Sequence, residues 1–270
     1  MLSLRKVSAF IKKEFLSEIS YRFAFFFHFF SIFAQIITFY FIDRLFGSRI
    51  TPHLKPYGVN YFSYVLLSIA FFTYVGTGLS SLNQRIRTEQ LIGTLEALLV
   101  TPTKISTIIF SLGLWDFIWA SISVVLYLFF GVILFGVDLT QINLLSTAII
   151  LILTIISFYG MGLIAASFII VLKKGQPITW LVNSLFGLLG GVYYPVSVLP
   201  AWLGTLSQIL PVTYSIKAMQ LAVYKGYSAQ LLTSEITALI ICSIVILPAG
   251  LYVFKWAIKR TRIDGSITHY

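Results

Sequence analysis

Residues 84–103 read QRIRTEQLIGTLEALLVTPT and form the longest polar-rich segment between two strongly apolar ones. Ile86, Leu91, Leu95, Leu98 and Leu99 recur at helical spacing, while Arg85, Glu89 and Glu96 line the other side. That pattern predicts an amphipathic helix of about four turns. Arg85 and Glu89 stand four apart, a pairing worth roughly 0.3 kcal/mol on an exposed helix. Thr101 followed by Pro102 places an N-cap before a proline at a first helical position, so the helix stops there and another begins. A charged helix set between apolar spans is an exposed docking surface, a connector lying on the membrane, or an ordinary cytoplasmic loop.

The rest of the chain makes those spans. Apolar residues are 58% of the 270 and charged ones 10%, against roughly 25% charged in soluble domains. The chain therefore reads as a polytopic all-α membrane protein, long enough for about six spans of about 20 residues each. Its first apolar run follows a charged segment and is too long for a signal-peptide core, so no secretory signal is expected. The one cysteine, Cys242, lies in an apolar run, which leaves neither a disulfide framework nor a cysteine metal site. The net charge of +10 is explained by topology rather than by nucleic acid, because the basic residues lie outside the spans.

Residues 2–20 predict an amphipathic helix lying in the membrane surface. Leu4, Val7, Ile11, Phe15 and Ile19 make one stripe; Arg5, Lys6, Lys12, Lys13, Glu14 and Glu18 take the rest. Spans follow at about Arg22–Phe46, Val59–Leu82, Thr103–Phe135 and Asn143–Leu172, a fifth from Pro177 to Gly190-Gly191, and a sixth at Leu231–Phe254. His28 and Gln35 sit in the first span and Asp116 in the third, as candidate pathway or bundle polar residues; Glu235 is a further ionisable group. Tyr159-Gly160-Met161-Gly162 in the fourth span lets helices approach closely. Residues 192–229 are apolar but broken by Pro195, Pro200 and Pro211. The pieces are too short to span and fit re-entrant helices packed within protein. With both termini cytoplasmic, 14 lysines and arginines fall inside and five outside, so the 84–100 segment faces the cytoplasm and 192–229 faces out.

No GxxxxGK[ST], HExxH or GxSxG motif occurs, so nucleotide, zinc-hydrolase and serine chemistry have no visible home in this chain. No catalytic or metal-ligating set is assigned. The energy source is expected in another polypeptide.

Three stretches carry a resemblance. Glu89–Pro102, EQLIGTLEALLVTP, is similar to the cytoplasmic coupling segment of ABC-2 permeases, the membrane-spanning subunits of type 2 ABC exporters. Gly191–Gln220 resembles that family's outer signature, with Tyr194, Pro195, Leu199-Pro200, Leu210-Pro211 and Tyr214. The ending RIDGSITHY resembles a frequent cytoplasmic tail. Gln220 departs from the pattern, since many relatives carry a basic residue there. The resemblance implies a single transmembrane domain over 1–270 in a cell membrane, pairing with a second copy or a related permease. It also implies two copies of an ABC ATPase that bind ATP and Mg²⁺, this chain holding no cofactor. Arg85, Glu89, Gly93, Thr94, Glu96, Thr101 and Pro102 would meet that ATPase. The implied task is export of a drug, lipid or lipid-linked molecule by alternating access. The polysaccharide or teichoic-acid branch is the alternative. From the residues alone, an ATP-independent secondary transporter or a lipid-acting membrane enzyme also stays open.

Overall fold

The computed structural model describes residues 8, 9, 11–13, 15, 16, 22–92, 105–172 and 176–263. Eight helices run through the three long stretches: α1 Arg22–Ile50, α2 Tyr61–Ile92, α3 Ile105–Phe135, α4 Leu144–Leu172, α5 Gln176–Leu189, α6 Ala201–Ile209, α7 Pro211–Tyr224 and α8 Thr233–Ile263. Two short 3₁₀ turns, Thr51–Leu54 and Val196–Val198, follow α1 and precede α6. The described residues before α1 are also helical, and Phe15 among them sets its ring edge-on to Trp115 of α3, 6.1 Å between centroids. Leu4, Val7, Ile19 and the charged residues 5, 6, 14 and 18 of the expected surface helix lie outside the described residues.

Among the described residues, five helices are long and apolar enough to cross a membrane: Phe25–Leu54, Tyr61–Thr88, Gly113–Phe135, Leu144–Val171 and Thr233–Thr261. The chain is an all-α polytopic membrane protein. The fifth apolar segment becomes the 14-residue α5, about 21 Å of helix and short of the ~30 Å hydrocarbon layer. It ends at the glycine pair, as the sequence predicts. Gly191 takes a positive φ of 82°, and a side chain on Gly190 would run into Val212 of α7, 2.5 Å from its Cβ.

α2 is the axis of the bundle. Every residue from Tyr61 to Phe71 is buried, and α2 packs against α1, α3, α4, α5 and α7. A helix apolar on all sides belongs either in lipid or in a protein core, and the burial of this stretch puts it in the core. Its start is capped by Asn60, whose Oδ1 accepts from the Ser63 N–H at 2.9 Å. Asn143 caps α4 in the same way through Ser146 N–H, 3.1 Å. One expectation needs correcting. Residues 84–92 do not start a separate helix after the second span but continue α2 without a break. No proline or glycine interrupts the chain between Leu82 and Ile92, so nothing breaks the helix there. Residues 93–104 lie outside the described residues.

The glycines of the Tyr159–Gly162 motif serve two interfaces. A methyl on Gly160 would lie 2.8 Å from the Leu247 backbone of α8, and one on Gly162 would overlap the carbonyl oxygen of Gly78 in α2. Facing glycines let α4 sit between α2 and α8 at backbone contact, the close-packing mode of small residues in membranes.

Candidate functional site

At the end of α2 that leads into residues 93–104 (the connector end), Arg85 meets Asp116 of α3. The Arg85 Nε–H donates to Asp116 Oδ2 at 2.8 Å and Oδ1 at 3.0 Å, and Nη2 joins the same carboxylate. Their side chains retain only 22% and 17% of their exposure. A two-pronged guanidinium–carboxylate contact is among the stronger polar interactions, and pairing is what makes ionisable groups tolerable inside an apolar bundle. The resemblance places Arg85 against a partner protein, and the sequence makes Asp116 a candidate pathway or bundle polar residue. The structure brings them together. Glu89 follows on the same helix, its side chain outside the described set, as are Gly93, Thr94, Glu96, Thr101 and Pro102.

Beside this pair opens a groove of about 320 Å³, lined by Thr77, Ser80, Ser81, Gln84 and Thr88 of α2 and by Trp119 of α3. Next to it, His28 of α1 shares a hydrogen bond with Ser123 of α3 (Nε2 to Oγ, 2.9 Å), and its ring lies 5.5 Å from that of Trp119. Gln35 accepts a hydrogen bond from the Tyr127 hydroxyl of α3. His28 and Gln35 therefore stitch α1 to α3, a bundle role for groups that lipid would leave unpaired.

The opposite end of α2 holds α7. Eleven of the 14 residues of α7 are buried, as expected of a short apolar helix packed within protein rather than against lipid. Its polar groups fasten it. Gln220 Nε2 donates to the Tyr64 carbonyl and to Ser68 Oγ, both at 2.7 Å; the Tyr224 hydroxyl donates to the Ser63 carbonyl at 2.6 Å. The Tyr64 hydroxyl in turn donates to the Gly191 carbonyl at 2.6 Å, holding the turn before α6. From α4, Thr154 Oγ1 donates to Ser215 at 3.0 Å.

The expected motif residues around it act on the backbone. Pro195 leads into a 3₁₀ turn, Pro200 precedes α6 and Pro211 opens α7, each where a missing N–H costs nothing. Tyr194 and Tyr214 are half-buried. Glu235 sits in the first turn of α8, 7% exposed, and pairs with Lys217 of α7 at 2.7 Å. Tyr64, Ser68 and Tyr224 escaped the sequence reading. They sit within apolar runs, and a hydroxyl there gives no local sign of its distant partner.

No curated protein matches the chain. A family model described as ABC-2 type transporter matches residues 5–224 of the 270. The match takes in α1 to α7, including the charged end of α2 and the proline-started helices packed on its other end. The chain belongs to the ABC-2 type transporter family, as the membrane-spanning permease component of an ABC transporter, a family whose members associate with an ABC ATPase and dimerise.

Proposed function

We propose that this permease is an exporter subunit that moves an amphipathic or hydrophobic molecule out of the cytoplasm or the inner leaflet. Two ATPase copies drive it, and two permease copies enclose the path. The observation that carries this reading is the continuity of α2. It is one helix of 32 residues, about 48 Å long. At one end it is tied to α3 by Arg85–Asp116, and at the other to α7 by Gln220 and Tyr224. A push on residues 93–104 at the cytoplasmic face reaches both α2 and α3, and through α2 it reaches the α7 end. An ATPase shifts the equilibrium between inward- and outward-open forms only through contacts that differ between them, and this segment supplies such contacts.

Lysine and arginine bias supports a cytoplasmic connector. The pairing of Asp116 with Arg85 weighs against an ion-coupled transporter, because it gives this carboxylate a structural partner within the bundle. The test is co-expression with a cognate ABC ATPase, comparing wild type with Glu89→Arg/Glu96→Arg. A stable complex whose ATP turnover collapses in the double variant is expected. Solute movement by the permease alone, without ATP, would refute the reading.

A further inference from the structure

Helices α4 and α5 follow each other in the chain, joined by residues 173–175, yet they make no substantial contact with one another. Each packs on α2 instead. Between them runs a slot of about 190 Å³. One wall is a stripe of α4, Met161, Ile164, Ala165 and Phe168, whose intervals keep it on a single helix face. Val182 and Thr179 of α5 make the other wall, and Leu79 of α2 is the floor. Gly78 meets Gly162, and further along Leu82 and Ile86 share a buried cluster with Leu163, Ala166 and Ile170. Helices α2 and α4 therefore run in the same direction and end together on the connector side. Leu79 lies nine residues before Thr88, where the apolar stretch of α2 stops, or about 14 Å of helix. Half of the ~30 Å hydrocarbon layer is about 15 Å. The slot thus begins near the middle of the membrane and runs toward the leaflet on the connector side, with half-exposed Phe168 the lining residue nearest that surface.

We propose that this slot holds an acyl chain of a phospholipid from that leaflet, as a fixed part of the permease and not as its cargo. The lining excludes other occupants. A buried water makes about three hydrogen bonds. The one polar side chain among the lining residues is Thr179, 9% exposed, and its oxygen already accepts from Asn83 Nδ2 at 2.8 Å. Apolar cavities of similar size, ~150 Å³, stay dry and take apolar guests. A charged headgroup meets no counter-charge, since neither α4 nor α5 carries an acidic or basic residue. A helix of a second copy, ~10–12 Å across, is too broad to enter. An alkyl chain is slender, apolar and already present at this depth. Left empty, the slot would deprive its walls of dispersion contacts on one side, and such packing is what holds helices together in lipid. Helix α5 packs on α2 and the short α6, so the acyl chain supplies the support that α4 does not give.

The full chain is placed in nanodiscs of phosphatidylcholine that carries a diazirine midway along one acyl chain, irradiated, and digested for mass spectrometry. Crosslinks at Met161, Ala165 or Val182 are expected, besides those at Ile152 and Leu181, which are 54% and 51% exposed. In native mass spectrometry, wild type is expected to keep a phospholipid through a detergent wash that strips surface lipid. Ala165→Phe, which fills the slot, loses it; Ile152→Phe, on the open face of α4, keeps it. Val182→Phe reads the same loss from the opposite wall should Ala165→Phe fail to fold. Crosslinks confined to exposed residues, no retained lipid, or retention unaltered in the slot variants would each overturn the assignment. In complex with a cognate ABC ATPase the lipid is expected to stay bound through turnover, and its release by ATP would make it cargo and overturn the proposal. A retained lipid in a chain that no ATPase drives would leave this result standing and remove the export reading instead.

Discussion

Arg85 and Asp116 form a largely buried ion pair that ties α2 to α3. Removing one partner of a largely buried pair strands the other, at about 3 kcal/mol for a pair this shielded. Arg85→Leu, which leaves the Asp116 carboxylate behind, is expected to lower resistance to denaturant unfolding by that order, and Arg85→Asp/Asp116→Arg to recover part of it. A double-mutant cycle showing no coupling would contradict the pairing. Gln220 offers a milder case. Its amide nitrogen makes two hydrogen bonds while its Oε1 has no partner among the described residues. Gln220→Leu therefore loses two donors but also relieves one unsatisfied oxygen, for a net cost of about 1 kcal/mol. Its position in an apolar run and its departure from the family's basic residue are legible in the sequence. Its two partners lie more than 150 residues away on α2, so only packing identifies them.

Among the helices, glycine distribution separates contacts from open surface. Gly162→Ala places a methyl on the Gly78 carbonyl, and the neighbour is backbone that cannot swing aside. Helix α4 must move off α2, and yield of monodisperse protein is expected to fall severely. Gly204 in α6 has nothing within 4 Å of the position its Cβ would take. Gly204→Ala is expected to be neutral or to stabilise by about 0.5–1 kcal/mol through the unfolded chain. If both variants behaved alike, the close approach of α2 and α4 would be wrong.

The turn before α4 gives a pH-dependent element. Asp138 accepts from the Thr140 N–H at 2.9 Å and its hydroxyl at 2.7 Å, and these bonds hold its carboxyl below its usual value of 3.8. A folded value below the unfolded one means that the turn contributes above the usual carboxylate range. The contribution is lost as pH falls through the lowered value. Asp138→Asn should therefore differ from wild type near neutrality and converge with it in strong acid, as unfolding curves against pH would show. The effect is small, since the carboxylate is solvated.

Across the molecule, α2 acts as a rod fastened at both ends. Spin labels at Thr88 and Tyr227, both exposed, in a chain whose single cysteine Cys242 is replaced by alanine, should keep their separation between nucleotide-free and ATP-bound complexes. A change beyond about 5 Å, a full helical turn, would show that α2 bends and that the two ends move independently.

Hydropathy, proline and glycine placement determined the class, the approximate spans and the points where helices begin and end. Transfer free energy and backbone sterics act on neighbouring residues and leave their record in local order. Pro195, Pro200 and Pro211 mark three starts, and Gly190-Gly191 marks a stop. The continuity of α2 past Leu82 was hidden because a change from apolar to charged residues alters where a helix lies without ending it. Which face meets which neighbour belongs to tertiary packing. Arg85 with Asp116, Gln220 with Tyr64, and α2 rather than any other span at the centre each depend on residues far apart in the chain. Their energies arise only once the helices have assembled, from burial that no window of sequence contains.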